Sequence, residues 1–279
     1  MLTSGNPSTI RPASEAAHGS LRETLSALRN LEQLLKSVRV GPRALASVIP
    51  DVYASCLSLP ATLSNLFEGL AERAADPQPA HELEAYALPR AKDLINALAK
   101  GRRKQLTAKR RLDLEHVVST RTGELDAVRA LVECLSNALS GREVHVDLSQ
   151  LAQQAVASGG EASGPRAHVS LHSPTLGLEL LVNPRVTTQL IVLGASAVTG
   201  GGQRPAQVSI EPKAGGGCVL RIRALTEPGP DAHTVGLPML IPPTAACLSS
   251  VAQLCHAELA RTEDELLLSW SSERTRSSH

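Results

Sequence analysis

Aromatic residues are nearly missing from this chain. Its 279 positions hold one Trp (Trp270), one Phe (Phe67) and two Tyr. Any core must therefore be built from Leu, Val, Ala and Ile, and a stacking platform for single-stranded nucleic acid is excluded. An excess of charge is missing too. The 28 Lys and Arg against 27 Asp and Glu leave a formal charge of +1, so no global field draws the protein to nucleic acid or membrane, and only a local patch could. Cys56, Cys134, Cys218, Cys247 and Cys255 show no Cys-x-x-Cys spacing. A dispersed, odd set of thiols reads as reduced, which places the chain in the cytoplasm. No charged start leads into an apolar run, so no signal peptide is expected. No segment approaches the ~20 apolar residues of a spanning helix, so no membrane contact is expected. The His, Cys and carboxylate spacings suit no zinc site. There is no Gly-x-Ser-x-Gly elbow. Gly200-Gly201-Gly202 and Gly215-Gly216-Gly217 lack the Gly-Lys-Ser/Thr ending of a phosphate loop and read as turns. Neither a metal nor a cofactor is expected.

What is present is a globular composition, 42% hydrophobic and 20% charged, on a chain long enough for two modest domains. Residues 1–14, with Gly5, Pro7 and Pro12, read as a loose tail. From Ser14 an amphipathic stripe runs through Leu21, Leu25, Leu28, Leu31, Leu35 and Val38 and stops at Gly41-Pro42. Shorter helical pieces punctuated by Pro50 and Pro60 complete a helical region over 15–75. Asp76-Pro77-Gln78-Pro79 is a break. Residues 80–142 then read as a long helical hairpin, with its turn near Gly101 or near Ser119–Gly123. Leu125, Val128, Leu131, Val132, Leu135 and Leu139 form one face, and Gly141 reads as the C-cap.

The pattern changes at residue 144. Strand signals at 144–147, 169–172, 178–182, 207–211, 218–225, 259–262 and 266–270 alternate with helices at 148–157, 184–198 and 244–258. Thr226–Pro243 carries five prolines and reads as a loop. Residues 273–279 read as a tail. The fold class is α+β, with a sheet covered on one face by helices over 144–272.

Several local strings carry a resemblance. Ser140-Gly141-Arg142-Glu143 followed by Val146-Asp147-Leu148 resembles the junction between the dimerisation hairpin and the ATPase domain of sensor histidine kinases. Asn183-Pro184-Arg185-Val186 with Gln189-Leu190 resembles the start of that family's nucleotide-binding helix, and Thr199-Gly200-Gly201-Gly202 the turn after it. The resemblance spans roughly residues 80–272 and rests on order and spacing. It implies a hairpin that forms a four-helix bundle on dimerisation, followed by a kinase-type ATPase-like α/β sandwich.

The chain departs from that family where nucleotide is held. The resemblance implies two Asn, four apart, on the nucleotide-binding helix; the corresponding positions are Leu193 and Ala197. Aliphatic groups cannot ligate a hard cation. An Asp-x-Gly-x-Gly string is replaced by Thr226-Glu227-Pro228-Gly229-Pro230-Asp231. A Gly-rich phosphate wrap is replaced by Leu240-Ile241-Pro242-Pro243, and proline has no N–H to offer a phosphate. The expectation is a degenerate ATPase-like domain without ATP binding or autokinase activity.

Two candidate sites stand outside it. The resemblance implies a phosphoacceptor His on the hairpin's first helix, and His81-Glu82 is the matching string, with Glu82 able to act as base. The competing reading is an ordinary solvated His near a helix start, because Pro79 lies just before it. His18 and His116 are weaker alternatives. Lys100, Arg102, Arg103, Lys104, Lys109, Arg110 and Arg111 form the densest basic stretch. They read either as a docking surface for nucleic acid or an acidic partner, or as a solvated hairpin turn. Together these readings give a homodimeric pseudo-kinase that scaffolds or regulates a response regulator or kinase. A histidine phosphotransferase and a nucleic-acid-binding regulator are the alternatives.

Overall fold

The computed structural model describes residues 7–103, 106–158, 166–172, 177–214, 216–229 and 231–277. They fall into two compact units, 1–132 and 133–279, with the division inside the fifth helix.

The first unit is an up-down-up-down bundle. Helix α1 (Pro7–Lys36) is followed by α2 (Pro42–Cys56) and α3 (Leu59–Ala71), which make one broken pass, then by α4 (Gln78–Arg103) and α5 (Ala108–Ser140). Helices α2 and α3 lie against both α1 and α4. The ring is closed by polar contacts that also fix the antiparallel register. Arg29 pairs with Asp126 at 2.6 Å and Ser119 donates to Glu32 at 2.7 Å, joining α1 to α5. Arg121 meets Asp93 and Arg90 meets Glu124, each at 3.3 Å, joining α4 to α5. Ser64 donates to Glu84 at 3.1 Å, joining α3 to α4.

The core follows the helical period. On α1 it is Leu21, Leu25, Leu28, Leu31 and Leu35; on α4 it is Leu83, Ala87, Ala91, Leu94 and Leu98, all at 0–1% exposure. The hairpin stripe therefore finds its cover inside the same chain. The four-helix bundle that the sequence assigned to two paired copies is built here by α1, α2–α3, α4 and α5 of one. Taken by length and composition, Pro42–Ala71 is apolar enough to cross a membrane, a run that the sequence reading had passed over. In the structure it supplies bundle core instead, through Leu45, Ile49, Leu59, Leu63 and Phe67.

Other boundaries also differ from expectation. Helix α1 starts at Pro7, within the expected tail, because proline is tolerated in a first turn whose N–H groups have no helical partner. Its stripe ends before Val38, which is 96% exposed. The hairpin turn follows Arg103 and precedes Ala108, close to Gly101 as one of the two expected positions had it, and Ser119–Gly123 is helical.

In the second unit, β1 (Val144–Asp147), β2 (Arg166–His172), β3 (Leu178–Val182), β4 (Ala206–Pro212), β5 (Cys218–Ala224), β6 (His233–Gly236), β7 (Glu258–Arg261), β8 (Glu265–Trp270) and β9 (Thr275–Ser277) form two sheets. The larger has the order β6-β2-β4-β5-β8-β7 and the smaller β1-β3-β9. Helices α6 (Leu148–Ser158), α7 (Pro184–Val198) and α8 (Thr244–Leu254) complete the layer on the larger sheet. Asp147 caps α6 by accepting from the N–H groups of Ser149 (2.7 Å) and Gln150 (3.2 Å). Two strands were not expected. β6 lies in the proline-rich stretch 226–243, where the proline-free run 231–237 pairs antiparallel with β2 at the sheet edge. β9 lies in the expected C-terminal tail and pairs with β3.

Candidate functional site

Helix α7 is the element on which the resemblance would place a nucleotide. Asn183 caps it, its Oδ1 accepting from the N–H groups of Arg185 (3.2 Å) and Val186 (3.4 Å). The Asn183 Nδ2 donates to the Asn137 carbonyl at 3.0 Å, and Asn137 Nδ2 donates to Gln189 Oε1 at 3.2 Å. One carboxamide thus joins the last turn of α5 to the first turn of α7. Gly141 is required by this clasp. A Cβ there would stand 1.4 Å from Asn183 Nδ2 and 2.6 Å from the Asn137 carbonyl oxygen. Its role is close approach rather than a left-handed cap.

The hydroxyls of α7, and that of Thr199 just after it, bond to backbone. Thr187 donates to the Asn183 carbonyl (3.0 Å), Thr188 to Pro184 (2.9 Å), Thr199 to Ala195 (2.8 Å) and Ser196 to Pro238 (2.6 Å). The two positions where the resemblance implies paired Asn are Leu193 and Ala197, 5% and 4% exposed. Gly194 faces the sheet, with Ile222 Cδ1 at 2.8 Å from its missing Cβ position.

The stretch that follows β5 is folded onto the domain through β6. Val235 in β6 and Leu237 just after it are 2% and 0% exposed. Together with Ile191 and Ala195 of α7 and Val208 of β4 they line a pocket of only about 10 Å³. A void of ~10–15 Å³ is needed for one water. Ser196 holds Pro238, and Thr244 Oγ1 accepts from the Ile241 N–H at 3.2 Å, fixing the run into α8. Glu227 and Asp231, the carboxylates of the string that replaces Asp-x-Gly-x-Gly, are both exposed, and Asp231 carries a φ of 59°. A larger open pocket of about 520 Å³ sits beside α6, lined by Gln153, Val156, Leu171, Asp231, His233 and Thr234, and takes no residue from α7. Leu193 and Ala197 offer no oxygen ligand to a magnesium ion.

The structure places His81 in the first turn of α4, exposed, one turn from the helix end and not in its middle. Glu82 Oε1 accepts from Gln78 Nε2 at 3.0 Å. His116 is exposed on α5 and His18 half-buried on α1.

The basic stretch is divided in its roles. Arg111 is structural: its guanidinium donates to the carbonyls of Leu35 (2.8 Å), Val40 (2.8 Å), Leu34 (3.1 Å) and Ser37, closing the C-terminus of α1. Arg102 lies 4.5 Å over the Tyr53 ring of α2. Lys100, Lys109 and Arg110 are exposed. The Arg103 side chain and Lys104 lie outside the described residues. Sequence reasoning missed the Asn137–Asn183–Gln189 clasp. Its only signal was a Gly after a helix end together with an Asn-Pro opening the next.

No protein-family model matches the chain, and no curated protein matches it. Solved structures that it resembles are histidine kinases. One is the Acinetobacter baumannii histidine kinase AdeS, at 11% identity and a TM-score of 0.42, over 70% of this chain and 98% of that one. Another is full-length ShkA, solved in complex with AMPPNP, at 13% identity and a TM-score of 0.41, over 72% of this chain and 46% of that one. A histidine kinase from Burkholderia phymatum gives 15% identity and a TM-score of 0.35, over 73% and 97%.

Proposed function

We propose that this chain is a signalling protein without kinase chemistry, a scaffold or regulator of two-component partners built on a kinase-like plan. The reading rests on the site itself. Where a working nucleotide helix carries two carboxamides beside an open, glycine-rich wrap, α7 carries buried Leu193 and Ala197. In the stretch that stands in place of the wrap, Ile241 is buried and Leu240 is 39% exposed, while Val235, Leu237 and the Ser196–Pro238 hydrogen bond hold the run before it on the domain. Opening that region would expose side chains now sealed against Ile191 and Ala195 and still supply no oxygen ligand for magnesium.

Titration calorimetry with Mg-ADP on the full chain tests this. No saturable heat up to millimolar nucleotide is expected, and no phosphoryl incorporation from Mg-ATP. Saturable binding of Mg-ADP would refute the reading. The phosphotransferase alternative depends on His81, which is exposed but sits at the start of α4. Transfer from a phosphorylated receiver that is lost in His81→Gln would favour it.

A further inference from the structure

Two turns that are far apart in sequence share one end of the bundle. The α1–α2 turn, residues 36–43, contains Lys36, Arg39 and Arg43 and no carboxylate; residues 100–111, from the end of α4 to the start of α5, contain seven Lys and Arg and no carboxylate. Arg111 ties the second segment to the carbonyls of the first, and Arg102 stacks on Tyr53 of α2. Glu32, paired with Lys36, and Asp113 are the carboxylates that flank this end along the chain.

Arg39, Arg43, Lys100 and Lys109 are exposed there and have no carboxylate partner among the described residues. Two aliphatic side chains project among them, Val38 at 96% and Leu112 at 63% exposure, the most exposed large hydrophobics described. Cations alone would suit any polyanion. Bare aliphatic tips amid cations do not suit a phosphodiester backbone, which offers them nothing apolar, and the nearby aromatic ring of Tyr53 is already covered by Arg102. A lipid interface offers both, headgroup phosphates for the cations and an acyl boundary for the tips.

We propose that this end of the bundle, with Val38 and Leu112 as inserted tips and Arg39, Arg43, Lys100 and Lys109 around them, docks reversibly on an anionic bilayer surface. Each signal is weak alone; stable peripheral attachment takes two. The proposal does not depend on whether nucleotide binds.

Co-sedimentation of the full chain with phosphatidylcholine vesicles containing about a third phosphatidylglycerol tests it. Binding at low salt that weakens as salt rises is expected, with no binding to phosphatidylcholine alone. Changing all of Arg39, Arg43, Lys100 and Lys109 to Ser should weaken binding on the order of a thousandfold. Val38→Ser with Leu112→Ser should weaken vesicle binding by about tenfold while leaving any binding to a short DNA duplex unchanged. These positions are exposed, so both variants should keep the parent's helical circular dichroism and melting curve. Failure to sediment with anionic vesicles at low salt overturns the proposal. So does vesicle binding that Val38→Ser with Leu112→Ser leaves intact, or a duplex that binds more tightly than the vesicles.

Discussion

Replacing Arg111 by Ala should destabilise the bundle by about 2–3 kcal/mol, and the magnitude can be worked from its contacts. The last carbonyls of a helix have no intrahelical partner. In α1 those of Leu34 and Leu35, with Ser37 and Val40 in the following turn, all accept from this one guanidinium, three of them at 2.8–3.1 Å. A hydrogen bond to a charged donor contributes ~1.5–3 kcal/mol when the group left behind is buried. This end of the bundle is half-open, so water replaces much of the loss and the bonds do not sum. A cation at a helix C-terminus adds ~0.3–1 kcal/mol. The assay is thermal unfolding followed by helical circular dichroism, with a fall in Tm of roughly 5–10 °C for Arg111→Ala. Arg111→Lys separates fork from charge. It keeps the charge at the helix end but cannot span four carbonyls, so it should recover less than half of the loss. If Arg111→Ala melts within about 1 °C of the parent, the guanidinium is not what closes α1 and the argument fails. If Arg111→Lys is fully stable, the helix dipole alone accounts for the contact.

Gly141→Ala should cost about 2 kcal/mol or more, because the new methyl meets the Asn137 carbonyl at 2.6 Å as well as the Asn183 side chain, and backbone cannot swing aside. A denaturant midpoint equal to the parent's would show the clasp to be loose. Alkaline pH should destabilise the fold through its thiols. Burial pushes Cys56 and Cys255 up to about 12 and Cys218 to about 11, against an ordinary value of 9.0. Unfolded thiols ionise first, so stability held below pH 9.0 should fall as pH rises from there towards 12. Cys56→Ala should flatten that fall, and an unchanged slope would rule out Cys56 as a contributor.

Much of the second unit was legible because its signals are local. β3 and α7 lie where alternation, an Asn-Pro cap and a triple-glycine stop placed them, and Gly200, Gly201 and Gly202 do take positive φ of 65°, 74° and 90°. What escaped was edge pairing. β6 and β9 are short, and nothing in four or three residues says that a neighbour with unpaired N–H and C=O groups is waiting. The roles within the basic stretch escaped for a similar reason. Arg111 and its neighbours look alike in sequence, and only the arrival of the C-terminus of α1 beside it makes Arg111 a cap.

The first unit shows that a local reading can identify an apolar stripe without identifying what covers it. The stripes of α4 and α5 were identified correctly, and two narrow stripes do need cover. Residues 15–75 carried an equally good stripe, but periodicity says which face is apolar and not what faces it. In the structure Leu83, Ala87, Leu94 and Leu98 on α4, and Val118, Leu125, Val128 and Leu131 on α5, reach 0–1% exposure inside one chain. Pairing of copies is therefore no longer needed to bury the hairpin. Among the described residues of unit 1 the large exposed hydrophobics are Val38, Leu57 and Leu112. Val38 and Leu112 stand at the cationic end, and Leu57 stands alone in the break between α2 and α3, so they do not make the continuous seam that joins two bundles. A partner that binds this unit must recognise charge and a few aliphatic tips rather than an open apolar stripe, which favours a reversible contact over an obligate one.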